Sequence, residues 1–323
     1  MEQRVVGRSG LVVSRLGLGT MTWGRDTDRD EASAQLLAFV EAGGNFLDTA
    51  DVYVDGESEK VVGRLLRTVV RRDQMIVATK AVGRTGPGPM GRGASRGHLL
   101  AALDGSLKRI GTDYIDLWQV HAWDPLVPLD ETLAALDTAV TSGRVRYVGV
   151  SNYAGWQLTR AAITQQLTHA APIVSTQVEY SLLERGIERE VVPAARHVGA
   201  GIIAWSPLGR GVLTGKYRHG TPSDSRGASP HLGEFVGRYL DNRSARIVEA
   251  VATAADGLGV SPLAVALSWV RDQPGVSAVI LGARTAGQLQ ASLSIDDLEL
   301  PQEIRLVLDE ISAAPIGYPE RRR

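Results

Sequence analysis

Cysteine is absent from the 323-residue sequence, and its absence excludes several kinds of chemistry. Without cysteine the chain forms no disulfide, has no thiol nucleophile and offers no sulfur ligand to zinc or to an iron–sulfur cluster. The absence also fits a reducing compartment, and we expect a cytoplasmic protein. Catalysis, if there is any, must use oxygen and nitrogen side chains or a bound cofactor. We predict no metal site.

Long apolar runs and an excess of charge of either sign are also missing. No stretch approaches the roughly 18 consecutive apolar residues of a transmembrane helix, and the first residues lack the apolar core of a secretory signal. The net charge is −1. We therefore expect neither a membrane nor a nucleic acid as a partner. Lysine is scarce, with 4 lysines against 31 arginines, so the place of each lysine is informative.

The sequence does contain a regular alternation of short apolar runs with helical patterns. The apolar runs, which predict strands, are Arg15–Gly19, Asn45–Asp48, Met75–Thr79, Tyr114–Val120, Val145–Val150, Ile173–Gln177, Gly201–Trp205 and Ala278–Leu281. The predicted helices are Glu31–Glu41, Glu57–Thr68, one from the Ser95 cap to the Gly111 stop, Leu129–Thr141, Gly155–Leu167, Ile187–His197, Asn242–Leu258, Pro262–Arg271 and Thr285–Leu293. Short runs of this kind suit parallel strands covered by helices.

Eight strand–helix units indicate a closed (β/α)8 TIM barrel of the α/β class, built as a single domain over residues 1–323. A doubly wound open sheet is the alternative. Arg4–Val6 and Leu11–Val13 predict an N-terminal hairpin that closes the bottom of the barrel, and a helix is expected at the C-terminus. The stretch from Ser206 to Arg238 is the longest irregular segment, and loops of this length are usually functional or mobile.

Four polar residues of suitable chemistry follow consecutive predicted strands. Asp48 ends the second strand and Tyr53 comes five residues later; Lys80 follows the third strand and His121 the fourth. Each alone has a commoner structural interpretation, as a turn residue, a surface aromatic, a solvated lysine or a core histidine. The carboxyl ends of barrel strands meet at one face, however, so the four together favour a shared site.

This set of side chains suits proton transfer to a carbonyl oxygen. A free tyrosine titrates near pH ~10, and a neighbouring lysine ammonium is expected to lower the pKa of Tyr53. Asp48 keeps Lys80 charged and in place, and His121 orients the oxygen or shares its proton. Because no side chain supplies a hydride, the reduction of a carbonyl requires a bound cofactor.

Three glycine-containing stretches are candidate phosphate contacts. Gly86–Gly91 matches G-x-G-x-x-G, but it trails its strand and contains two prolines, so we interpret it as a loop. Gly211–Lys216 has the wrong spacing for a phosphate loop, although Lys216 and backbone amides remain candidates. In the last unit, Gly282 permits close approach, the next helix aims N–H groups at an anion, and Arg284 suits a phosphate monoester. A phosphate there favours NADPH over NADH.

Several motifs together resemble the aldo-keto reductase superfamily over nearly the whole chain, from Gly7 to Leu289. They are Gly17–Met21, Asn45–Tyr53, Ala78–Lys80, Asp113–Leu117 leading to His121, Gly149–Asn152, Gln177–Ser181 and Ser206–Gly211. The resemblance implies a (β/α)8 barrel that binds NADPH/NADP+ without a Rossmann domain. It also implies that Tyr53 is the general acid, that Asp48 and Lys80 tune it, and that His121 orients the carbonyl.

The resemblance implies a cofactor site as well. With the candidates above, the expected cofactor-binding residues are Gly19, Thr20, Met21, Asp48, Ser151, Asn152, Gln177, Trp205, Ser206, Pro207, Leu208, Gly209, Gly211, Lys216, Arg226, Gly282, Arg284 and Gln288. Ser151, Asn152 and Gln177 would contact the nicotinamide carboxamide or its surroundings, and Trp205 would stack on the ring. Members often carry Glu-Asn where this chain has Ala291-Ser292, so a weaker grip on adenine is expected, with NADPH still bound more tightly than NADH.

Trp23, Tyr53, His121 and Trp123 are expected to line a pocket for a small carbonyl substrate, whose identity, like the oligomeric state, stays open. We interpret the protein as an NADPH-dependent oxidoreductase that reduces an aldehyde or ketone to an alcohol. An NADPH-binding regulatory or channel-associated subunit with little turnover is the alternative, because such relatives of the fold keep the same four residues. A lyase or isomerase that uses Lys80 as a Schiff-base amine fits the cofactor motifs less well.

Overall fold

Eight parallel strands close into a barrel in the computed structural model, which describes residues 1–223, 225–229, 233–314 and 317–318. The strands are β3 (Leu16–Gly19), β4 (Phe46–Asp48), β5 (Ile76–Ala81), β6 (Ile115–Val120), β7 (Val145–Ser151), β8 (Ile173–Glu179), β9 (Gly201–Trp205) and β10 (Val276–Gly282). Strand β10 pairs with β3, with Val279 opposite Leu16, and this pairing closes the ring. The predicted TIM barrel is confirmed, and the open sheet is excluded.

The hairpin ahead of the barrel consists of β1 (Gln3–Val5) and β2 (Val12–Ser14), one residue away from the predicted bounds. Arg4 donates hydrogen bonds to the carbonyl oxygens of Arg271 (2.7 Å) and Val276 (3.3 Å). Buried apolar residues next to the strands, such as Val6 and Leu11, pack into the lower end of the barrel. The hairpin therefore closes the face opposite the carboxyl ends of the strands.

Eleven helices are present among the described residues, and most cover the outside of the barrel. They are α1 (Arg29–Glu41), α2 (Glu57–Thr68), α3 (Arg96–Ile110), α4 (Leu129–Thr141), α5 (Gly155–Leu167), α6 (Val191–Val198), α7 (Gly233–Gly237), α8 (Asn242–Leu258), α9 (Pro262–Arg271), α10 (Ala286–Leu293) and α11 (Gln302–Ser312). Six of them have the predicted bounds. Local caps set some of these ends, such as Ser261, which accepts a hydrogen bond from Ala264 N at the start of α9.

The predicted helix Ile187–His197 is instead a short 3-10 turn, Gly186–Arg189, followed by α6. Pro193 explains the break, because proline has no N–H to donate to the preceding turn and is tolerated only near a helix start. The irregular segment after β9 contains a 3-10 stretch at Gly209–Thr214, a 3-10 turn at Arg226–Ala228 and helix α7.

Helices α8 and α9 lie at 102° to each other and bury a series of apolar residues, among them Val251 and Leu267. Within the described ranges no single helix is long and apolar enough to cross a membrane. The bent pair of α8 and α9 meets that criterion by length and composition only.

Candidate active site

A cavity of about 570 Å³ opens at the carboxyl ends of the barrel strands. Its lining includes these predicted residues: Gly19, Met21, Asp48, Tyr53, His121, Ser151, Asn152, Gln177, Trp205, Ser206, Pro207, Leu208, Gly211, Lys216, Gly282, Arg284 and Gln288. Its other lining residues are Thr22, Arg210, Thr214, Phe235, Leu263, Leu267, Ile280, Leu281 and Ser292. The volume and the mixture of apolar walls with a few polar groups are typical of a small-molecule or cofactor site.

A buried ion pair lies at the base of this cavity. The Lys80 ammonium donates to both carboxylate oxygens of Asp48, at 2.8 and 2.7 Å, and to the carbonyl oxygen of Thr49 at 2.9 Å. Gln177 donates to Asp48 Oδ1 at 2.7 Å. Burial alone would lower the pKa of Lys80, but the charge of Asp48 and its hydrogen bonds to Lys80 outweigh this effect and hold that pKa above its usual value. Lys80 is therefore a permanent cation.

Tyr53 lies beside this cation and beside His121. The Lys80 ammonium is 5.3 Å from the centre of the Tyr53 ring, and the rings of Tyr53 and His121 meet edge to face with centroids 6.1 Å apart. Burial raises the pKa of Tyr53, and although Lys80 pulls the other way, the pKa stays above its ordinary value. The expected lowering is thus not met, because desolvation of the phenolate outweighs the lysine charge. The phenol keeps its proton at neutral pH, as a general acid must.

His121 is a neutral imidazole in this environment. Burial, followed by the nearby charge of Lys80, lowers the pKa of His121 to about 3. A neutral imidazole can donate one hydrogen bond to a carbonyl oxygen, but it holds no extra proton to give away at neutral pH. Of the two predicted proton carriers, His121 is therefore without a proton to donate as an acid at neutral pH, whereas Tyr53 retains one.

Ser151, Asn152 and Trp205 are joined to one another along the wall of the cavity. Asn152 adopts a left-handed backbone (φ 56°) and donates to the carbonyl oxygen of His121 at 3.0 Å and to Ser151 Oγ at 3.1 Å. Its Oδ1 accepts a hydrogen bond from the Trp205 indole at 3.2 Å. Ser151 in turn donates to the carbonyl oxygen of Gln177 at 2.9 Å. These contacts fix the orientation of the groups for which the family resemblance implies contact with a nicotinamide.

The loop after β9 is shaped by its own turns. The Gly209 amide donates to the carbonyl oxygen of Ser206 at 2.9 Å and the Gly211 amide to that of Leu208 at 3.0 Å. Gly211 lines the cavity next to Lys216, whereas Gly209, predicted as a cofactor contact, does not line it. Its positive φ of 53° serves the turn, and its predicted contact with the cofactor stays a prediction.

The N-terminus of α10 is already capped by protein groups. The Ala286 amide donates to the Glu31 carboxylate, and the Gln288 amide donates to Thr285 Oγ1 at 3.2 Å. Neither of these two amides is free to bind a phosphate, which corrects the expectation that this helix aims free N–H groups at an anion. The Arg284 side chain lines the cavity and remains the candidate anion contact.

Three other predicted residues are not brought to the cavity. Trp23 is fully buried between α1 and the barrel, where its indole donates to Gln35 at 3.0 Å. Trp123 packs edge to face on Tyr153 and Trp156, with ring centroids 5.3 and 5.4 Å apart. Thr20 is also fully buried, and it bonds Ser58 and the backbone of Asp48. Trp23 and Thr20 are therefore packing and scaffolding positions, whereas the predicted role of the partly buried Trp123 stays a prediction.

The side chain of Arg226, a predicted cofactor contact, lies outside the described residues.

Arg210 is a cavity residue that the sequence did not single out. It is 3% exposed and pairs with both carboxylate oxygens of Glu179, at 3.1 and 2.8 Å. Its guanidinium also stacks on the ring of Phe235, at 3.3 Å from the ring centre, which ties α7 to the cavity wall. In the sequence, Arg210 is only one residue of the Ser206–Gly211 motif. Its ion pair was not predictable, because its partner Glu179 lies in another strand–helix unit.

The geometry is that of a TIM barrel with a cavity at the carboxyl ends of its strands, and comparisons with known proteins define the class. The aldo/keto reductase family model matches residues 15–313, and the chain belongs to that family. It is therefore an oxidoreductase of the aldo/keto reductase type.

Curated relatives are similar over nearly their full length. A rice protein described as "Probable voltage-gated potassium channel subunit beta" is 37% identical, covering 99% of this chain and 98% of the relative. "Uncharacterized oxidoreductase YrpG" of Bacillus subtilis is also 37% identical, covering 98% of each chain. "L-glyceraldehyde 3-phosphate reductase" of Escherichia coli is 34% identical, covering 91% of this chain and 87% of the relative.

Proposed function

We propose that the protein reduces an aldehyde or ketone to an alcohol with NADPH, and that Tyr53 is the general acid. The observation that carries the proposal is the buried Asp48–Lys80 ion pair beside a protonated Tyr53 and a neutral His121, all at one cavity. A carbonyl oxygen that gains negative charge during reduction needs a nearby proton donor and a cation. Tyr53 and Lys80 supply these two.

Each of the four residues has one part in the proposal. Tyr53 donates its proton to the carbonyl oxygen, and the neighbouring Lys80 charge stabilises the phenolate that remains. Asp48 holds Lys80 in place and balances its charge inside the barrel. His121, neutral and linked through its backbone to Asn152, orients the carbonyl oxygen.

The residues of the cavity fit a nicotinamide dinucleotide. Trp205 offers a flat face, Asn152 and Ser151 offer amide and hydroxyl groups, and the cations Lys216 and Arg284 suit phosphates. When bound, such a cofactor supplies the hydride, which no side chain can provide. Gln288 and Ser292 would hold its adenosine end.

The loss of NADPH absorbance with a panel of aldehydes, diketones and keto-sugars tests the proposal. We expect consumption of NADPH that requires both a carbonyl compound and the protein. NADPH that binds but is not oxidised by any compound of the panel would contradict the proposed activity. The same screen narrows the substrate class.

NADPH is expected to bind more tightly than NADH, because Arg284 can pair with the additional phosphate. Arg284→Ala is expected to weaken NADPH binding by roughly tenfold and to leave NADH binding nearly unchanged. Glu31→Gln, which removes the carboxylate from the α10 terminus, is expected to tighten NADPH severalfold. Fluorescence titration measures all of these affinities. Equal affinities of the unaltered protein, or tighter NADH, would contradict the proposed preference.

A regulatory subunit that binds NADPH with little turnover is the second candidate. The observation that favours it is the 37% identity to relatives described as probable potassium-channel beta subunits, such as the rice protein. Stable NADPH binding without oxidation in the absorbance assay would favour it over the reductase.

The main proposal places the reaction in the cytoplasm on a small carbonyl compound, without nucleic acid or membrane as a partner. Cell fractionation tests the location.

A further inference from the structure

A buried carboxylate that the proposed reaction does not use lies next to the catalytic residues. Asp51 stands between Asp48 and Tyr53 in the chain and is 2% exposed. Its N–H donates to the carbonyl oxygen of Lys80 at 3.1 Å, so the segment after β4 continues along β5. Neither carboxylate oxygen of Asp51 has a hydrogen-bond partner of ordinary geometry. A buried carboxylate without partners is costly in its charged form, which calls for an explanation.

The surroundings of Asp51 already contain a completed ion pair. Glu59 on α2 is fully buried and accepts hydrogen bonds from Arg109 Nε on α3 and from Thr79 Oγ1 on β5, each at 2.6 Å. The Arg109 guanidinium is thereby committed to Glu59. Burial, followed by the charge of Glu59, raises the pKa of Asp51 to about 7, although the charge of Arg109, the Val52 amide and the charge of Lys80 act in the opposite direction.

The charges of this buried region balance only when Asp51 is neutral. Lys80 and Arg109 contribute the two cations, and Asp48 and Glu59 pair with them. An ionised Asp51 adds a third carboxylate to the same interior, where charge is poorly screened. Protonation of Asp51 removes this excess.

We propose that Asp51, a buried carboxylate beside the completed Glu59–Arg109 ion pair, is a positioning residue that holds a proton, releases it to solvent as the pH rises, and by its charge then makes Tyr53 hold its own proton more firmly. The direction follows from electrostatics, since a negative charge at Asp51 raises the pKa of Tyr53. Asp51 is not part of the cavity lining, so it acts through Tyr53 rather than on a substrate. The second half of this inference rests on the proposed role of Tyr53 as the acid.

Infrared difference spectroscopy of the cofactor-free protein tests the first half without any reaction. Between about pH 6 and about pH 9, we expect a carboxylic-acid C=O band that disappears with a midpoint near the raised pKa of Asp51. The band should be lost in Asp51→Asn and retained in Asp55→Asn, which removes an exposed carboxylate from the same turn. Absence of the band, or its persistence in Asp51→Asn, would overturn the proposal. Asp51→Asn mimics the protonated form and should fold. Asp51→Ser is a second variant that also replaces the carboxylate with a neutral polar group.

The pH dependence of carbonyl reduction tests the second half. The rate should fall as Tyr53 loses its proton, and in Asp51→Asn this fall should begin about half a pH unit or more lower, since the charge that opposed it is gone. Asp55→Asn should keep the profile of the unaltered protein. Identical profiles for Asp51→Asn and the unaltered protein would refute the link to Tyr53. A protein with no turnover at all would contradict the proposed function, while the infrared band would still decide whether Asp51 carries the proton.

Discussion

Replacing Tyr53 with phenylalanine is expected to lower kcat for carbonyl reduction by roughly 10²- to 10⁴-fold. The substitution removes the proton donor and keeps the ring that packs edge to face on His121. No other group described at the site replaces it, because the pKa of His121 is lowered to about 3 and Lys80 is held in its ion pair. Steady-state kinetics with a substrate found in the absorbance screen measure the loss.

Cofactor binding separates this loss from a structural defect. NADPH affinity, followed by fluorescence, should be nearly unchanged in Tyr53→Phe, because the phenol is only one of many groups along the cavity. Tyr114→Phe is a matched control: its ring lies outside the cavity between two arginines, and kcat should stay at the level of the unaltered protein. A Tyr53→Phe variant with unaltered kcat would show that another group is the acid.

Lys80→Met should destabilise the fold by about 3–5 kcal/mol, because it leaves a buried carboxylate without its cation. The Lys80 side chain is 1% exposed, and Asp48 would retain only the amide of Gln177 among its described side-chain partners. Chemical denaturation measures the change in the free energy of unfolding. Activity should also fall, since the charge that stabilises the Tyr53 phenolate is removed.

Two further variants test whether the predicted loss of stability arises from the burial of the ion pair. Lys60→Met removes a lysine from an exposed pair with Glu57, and its cost should stay below about 1 kcal/mol. Asp48→Asn combined with Lys80→Met removes both charges and should cost clearly less than the sum of the single changes. Equal small costs for Lys60→Met and Lys80→Met would contradict the interpretation that Lys80→Met leaves a buried, unpaired charge at Asp48.

Much of the architecture was predictable because it is encoded locally. Helix α3 ends where Gly111 adopts a left-handed backbone, and Ser95 caps its start, as the sequence indicates. Positions such as Lys80 and His121 follow short apolar runs, and in a barrel the carboxyl ends of strands converge on one face. The exception, α6, is also a local effect, because Pro193 interrupts the pattern that the apolar residues continue.

Partners across the barrel were not predictable from local pattern. Trp23 was expected to line the substrate pocket, yet its indole lies in the core and donates a hydrogen bond to Gln35 on α1. Glu31 precedes Ala286 by 255 residues and still caps α10. The pairing of Arg210 with Glu179 depends likewise on where the ends of β8 and β9 meet. None of these contacts can be predicted from the spacing of residues that are close together in the sequence.

The sequence by itself determined the order of strands and helices, the barrel they build, and the four residues gathered at its mouth. Periodicity, caps and strand ends carry that information, because each depends on residues close together in the chain. Only the tertiary structure decided the direction in which three protonation states shift: the pKa values of Tyr53 and Asp51 are raised, and that of His121 is lowered. Those states depend on burial and on charges from distant strands and helices, and both come into being only when the barrel closes.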